Sequence, residues 1–143
     1  MILEEPLATA ERQEPGWIQV KDLKTKEGVH INTIFMYSCN SAHQNYATKN
    51  LAFEFTKYQD VDYVYGWDGS MKWSRITGKP ILNSGTEYFK SWCENGNRKE
   101  YGLIRYKKES NGITIIQENS GNILNRYDYN GNPLYFEQTE VTA

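Results

Sequence analysis

Cysteine and histidine are scarce in this chain, with two residues of each among 143. A structural zinc site wants four ligands in paired spacings, and a disulfide framework wants more cysteines than Cys39 and Cys93 supply. No metal and no cofactor is therefore implied. One Cys39–Cys93 bridge is conceivable, but without an extracellular cue free thiols are the expectation. Long apolar runs are also missing: nowhere do 18 apolar residues stand together, so no membrane-crossing helix is expected. The opening "MILEEPLATAERQEPG" carries acidic residues where a signal peptide needs a basic start. The chain reads as soluble, and as cytoplasmic or delivered without a recognisable signal peptide. Nor is there an excess of one charge. A net charge of −2, with both signs interspersed, gives no field for a polyanion, so nucleic acid is not an expected partner.

What is present suits an ordered globular unit. Hydrophobic residues make up 38% and aromatic residues 14%, including 11 tyrosines. A length of 143 residues accommodates one domain with a real core but not two. We divide it into an N-terminal segment (1–28), a strand–helix–strand unit (29–75) and a β-rich remainder (76–143). Within the first segment, "GWIQVKDL" at 16–23 reads as an edge strand or a helix start.

The run "INTIFMYS" at 31–38 is β-branched and aromatic, and "IFMY" is apolar on both alternating faces, as in a strand buried on both sides. Ser41 and Gln44 then form an S-x-x-Q pattern that predicts a capped helix over about 42–58. Ala47, Leu51, Phe55 and Tyr58 recur at helical spacing, leaving Lys49, Asn50, Glu54 and Lys57 for water. A second strand, "VDYVYG" at 61–66, follows, and the crossover rule makes the pair parallel. Cys39 and the loop "GWDGS" (Gly66, Trp67, Asp68, Gly69, Ser70) then lie at the carboxyl ends of neighbouring strands, where open α/β sheets bind ligands. A thiol beside a helix N-terminus is biased towards thiolate. The same position also suits a cysteine that merely packs, because free cysteine is among the most buried residue types.

Nine of the 11 glycines lie from Gly66 onward, and "ENGN", "SNG", "NSGN" and "YNGN" separate short runs rich in Tyr, Ile and Leu. These predict an antiparallel β-meander with strands at 100–107, 112–118, 122–129 and 133–138, after an earlier strand in "SMKWSRI". "TEYFKSWCE" at 86–94 reads as a short helix or a strand. The fold class is thus α/β or α+β, a parallel βαβ unit followed by a meander. "SGNILNRYDY" and "NGNPLYFEQT" align at a period of ten, and resemble the tyrosine-rich hairpins of bacterial YD and Rhs repeat proteins. Plain Asn-Gly hairpins account for the same residues.

The order strand, "SCNSA", amphipathic helix, "VDYVYGWDGS" resembles the nucleophile half of the caspase-like cysteine peptidases. That group includes caspases, metacaspases, CHAT proteins and the autoprocessing domains of large bacterial toxins. The resemblance covers roughly residues 29–75. It implies that Cys39 matches the nucleophile and that Gly66–Ser70 borders a peptide substrate. The chain departs from the group in lacking its His-Gly pair. His30 opens the strand that leads to Cys39, nine residues away, which at about 3.3 Å per residue is too far to share a proton. His43 is near in sequence and reads as a catalytic candidate or as a solvated first-turn residue. Three functions follow: a degenerate or partial caspase-like domain without activity as an isolated chain; a non-catalytic binding or accessory module associated with a bacterial secreted toxin; and an active cysteine hydrolase using Cys39 and His43. Each implies a peptide or protein partner.

Overall fold

The β-branched run after His30 forms a short strand, β1 (Ile31–Phe35), in a computed structural model that describes residues 20–23, 28–83 and 98–135. One helix, α1 (Leu51–Tyr58), leads into the longer β2 (Val61–Asp68), and β1 and β2 pair in parallel with Ile31 opposite Val61 and Phe35 opposite Tyr65. The strand–helix–strand order therefore holds, with two corrections to the first strand: it ends at Phe35 and not at residue 38, and it lies at the sheet edge with none of its residues fully buried, not covered on both sides. The second strand runs two residues further than the 61–66 read from sequence. A small hairpin, β3 (Met71–Trp73) and β4 (Pro80–Leu82), stands apart as a two-stranded sheet. The meander follows as β5 (Gly102–Glu109), β6 (Gly112–Gln117) and β7 (Ile123–Tyr127), all antiparallel. The main sheet has the order β1-β2-β5-β6-β7, parallel at one edge and antiparallel elsewhere, which makes the fold α+β with a mixed sheet.

Further expectations are corrected. The helix starts at Leu51, not near residue 42; residues 44–46 make only a single 3₁₀ turn. Its cap is Asn50, whose side-chain oxygen accepts from the Phe53 amide at 2.9 Å. Asn50 was expected to face water and is instead wholly buried, while the buried face of α1 is Ala52, Phe53 and Thr56 and Tyr58 points outward at 43% exposure. No strand occupies residues 133–135, where Pro133 makes an isolated bridge to Tyr127. Upstream, Val20–Asp22 is a 3₁₀ turn, which fits the helical of the two readings of 16–23; residues 16–19 lie outside the described residues. "TEYFKSWCE", with Cys93, lies outside the described residues.

The helix face of the sheet carries the core. Val64, Ile104, Tyr106, Ile113 and Ile115 are each 1% exposed or less and pack against Ala42, Ala52 and Phe53. Strand alternation puts Gly66 and Asp68 on this same face as Val64, and Trp67 on the other. At the amino end of β1, His30 sits between Asp60 (2.7 Å) and Asp62 (3.1 Å), and these two hydrogen bonds hold its imidazole above the ordinary 6.5. His30 is thus an ion-pair residue at the end of β1 remote from Cys39. Among the described residues no helix is long and apolar enough to cross a membrane.

Candidate functional site

The segment that follows β1 turns back over the carboxyl end of β2. Ser41 is buried; its hydroxyl donates to the Ser38 carbonyl (3.0 Å) and accepts from the Trp67 amide (3.0 Å). The Ala42 amide donates to the Trp67 carbonyl at 3.0 Å. Only glycine fits beneath this turn: a Cβ on Gly66 would stand 2.9 Å from both Ala42 Cβ and Ser41 Oγ. Gln44 does not reach back as a capping residue. Its side-chain Nε2 donates to the Ala42 carbonyl (2.8 Å) and to the Tyr106 hydroxyl (3.1 Å). Ser41 and Gln44 therefore spend their side chains on Trp67 and Tyr106 as well as on nearby carbonyls, and no α-helix begins there.

Cys39 lies four residues beyond β1, half-buried, as a free thiol. Its sulfur accepts from the Met71 amide (3.4 Å) and donates to the Met71 carbonyl (3.7 Å). Beside it, Asn40 takes a positive φ of 59° and clasps Gly69: its amide donates to the Gly69 carbonyl, and its side-chain oxygen accepts from the Gly69 amide, both at 3.0 Å. The structure thus brings Cys39 against Met71, the residue that follows the Gly69–Ser70 turn, as the strand order predicted. It does not place a helix N-terminus on the thiol. The α1 amides of Ala52 and Phe53 go to the Ser41 carbonyl and the Asn50 side chain, so the expected dipole bias on Cys39 lacks its donor.

His43 is 3% exposed, which corrects its reading as a solvated residue. Its Nδ1 accepts from the Asn45 amide at 3.1 Å and lies 4.0 Å from Asp68 Oδ1. Among the described residues, the hydrogen bonds of Cys39 go to Met71 and not to His43.

Most of the "GWDGS" residues lie in the interior, with Gly66, Trp67 and Asp68 all buried. Gly66, Trp67 and Asp68 are the last residues of β2, and only Gly69 and Ser70 form the turn. Trp67 is 5% exposed and faces a cavity of about 350 Å³, shared with Pro80, Leu82, Tyr101 and Leu103. Asp68 is fully buried and collects four donors: Arg98 through both terminal nitrogens (2.7 Å each), the Tyr101 amide (2.7 Å) and the Gln44 amide (2.8 Å). Arg98 also lies 4.8 Å over the Tyr101 ring and reaches Asn45 at 3.2 Å.

Sequence reading missed three contributors here. Arg98, Glu100 and Tyr106 lie 30 or more positions away from Asp68 or from the turn they support, and no local pattern marks them. Glu100 is 6% exposed beneath Gly69, and its Oε2 has no hydrogen-bond partner among the described residues. Tyr106, fully buried, donates to the Ala47 carbonyl and accepts from Asn50 and Gln44. Among the described residues no group of three His, Cys, Asp or Glu side chains is placed to hold a metal ion. No family model, curated protein or solved structure matches the chain.

Proposed function

We propose that the chain is a degenerate or partial caspase-like cysteine peptidase domain of bacterial type, inactive towards peptides on its own. One observation carries this reading: a half-buried thiol stands beyond the carboxyl end of a parallel β-strand, hydrogen-bonded to Met71, the residue after the turn that ends the neighbouring strand. A base would have to come from elsewhere. In the caspase-like group it comes on the strand before the nucleophile strand, and β1 is the last strand at its edge of the described sheet, so that edge can accept one. General-base loss costs about 10²- to 10⁴-fold in rate.

The test is cleavage of a peptide library by the parent and by Cys39→Ala. The expected result is no cleavage by the parent above the Cys39→Ala background. Cleavage that both Cys39→Ala and His43→Ala abolish would overturn this and install the active hydrolase.

A second reading, the non-catalytic toxin-associated module, rests on an aromatic run at the same end of the sheet. Phe35, Tyr37 and Trp73 are each about half exposed. Phe35 stacks on Tyr65 (4.5 Å between centroids) and Tyr37 meets Trp73 (5.3 Å). Aromatic side chains of this kind anchor protein contacts. Peptide-array binding lost in Trp73→Ala and Tyr37→Ala but kept in Cys39→Ala decides for that reading.

A further inference from the structure

We propose that Glu100 is a positioning residue for the Cys39 thiol: its neutral carboxyl supports the Gly69–Ser70 turn, and release of its proton to solvent loosens the turn and frees the thiol. The inference rests on the geometry of the turn and does not depend on the peptidase reading.

Glu100 is 6% exposed and lies directly against Gly69, where even a Cβ would overlap its carboxyl group. Gly69 has φ of 114°, a conformation other residues rarely adopt, so the turn and the carboxyl are fitted to one another. The turn in turn holds the thiol's surroundings. Gly69 is bonded to Asn40 through both its amide and its carbonyl, and Met71, the residue after Ser70, supplies both hydrogen bonds to the Cys39 sulfur.

One carboxyl oxygen of Glu100 has no partner among the described residues, an arrangement that a neutral acid tolerates far better than a carboxylate. Among the described residues, the charged groups that bear on Glu100 are Asp68, at the end of β2, and Arg98, two residues before it; His43 faces Asp68 from the turn after β1. Arg98 is committed to Asp68 by two bonds of 2.7 Å, so its charge does not go chiefly to Glu100. Burial first, then repulsion by Asp68, raise the Glu100 carboxyl from 4.5 to about 7, against the opposing pull of Arg98 and a hydrogen bond with the Ser70 backbone. A carboxyl raised in the folded state stabilises the fold at low pH, and that stabilisation is lost as pH rises through about 7. The carboxylate regains water only if the turn above it gives way.

The experiment is iodoacetamide alkylation of the full chain from pH 5 to 9, with Cys39 followed by peptide mass spectrometry. For the parent we expect the thiolate curve plus a second step centred near pH 7, raising the rate by about threefold or more as local opening becomes easier. Glu100→Gln keeps the shape without the charge and should show the thiolate curve alone. Amide exchange at Gly69 and Met71, corrected for its intrinsic pH dependence, should lose protection through the same range in the parent and not in the variant. Should Glu100→Gln fail to fold, Glu100→Asp is expected to displace the step and the loss of protection together. Superimposable alkylation profiles, or a step that persists unshifted in the variants, overturn the proposal.

Discussion

Asp68→Ala is expected to lower unfolding stability by about 3–5 kcal/mol, the range for removing one partner of a buried charged pair. The carboxylate is wholly buried and is the common acceptor for Arg98, the Tyr101 amide and the Gln44 backbone amide, so alanine removes an acceptor from all three at once. Arg98 is 28% exposed at its side chain and can recover only part of its hydration. Asp68→Asn keeps one acceptor oxygen and should fall between the parent and alanine. Urea denaturation with unchanged slope measures both. A loss below about 1 kcal/mol for Asp68→Ala would mean that the pair contributes no more than a surface ion pair.

Tyr106→Phe should cost about 1–3 kcal/mol, because it leaves buried polar groups unpartnered while keeping the ring. The hydroxyl donates to the Ala47 carbonyl (2.8 Å) and accepts from Asn50 (2.8 Å) and Gln44 (3.1 Å). Those three residues lie in or beside the long turn between β1 and α1, which has only a single 3₁₀ turn of its own. The edge contact between the Tyr106 and Phe53 rings, 6.5 Å apart, survives the change. Burial pushes the Tyr106 phenol well above its ordinary value, so it stays protonated and the cost should be the same at pH 6 as at pH 9. A cost that fell at pH 9 would show that the phenol ionises in the folded state.

The parts of the fold that local pattern encodes were legible. The parallel pair followed from two β-rich runs flanking a helical stretch, and the meander from Asn-Gly turns such as Ser110–Asn111–Gly112 between β5 and β6. The helix start was not legible, because Ser41 and Gln44 have the chemistry of a cap and spend it on Trp67 and Tyr106 instead. Asn50 carried the correct signal, an N-cap residue directly before "LAFEFTKY", and burial rather than exposure was its price. Cys39 and the Gly69–Ser70 turn were placed together correctly from strand order alone. The ion-paired interior around Asp68 was hidden for a different reason: its cation, Arg98, follows 30 residues later. Sequence spacing encodes no such meeting.

The mixed sheet also implies an order of assembly. At one side, β5, β6 and β7 are joined by tight turns and close with little loss of chain entropy. At the other, β1 must wait for α1 before it can lie parallel to β2, and β2 finds β5 only across a connection of 33 residues between Asp68 and Gly102. Contacts distant in sequence form late in folding. We therefore expect pulse-labelled amide exchange during refolding to register protection in β5–β7 before β1. The turn bearing Cys39 would then be among the last regions to acquire its native neighbours; simultaneous protection of all five strands would contradict this order.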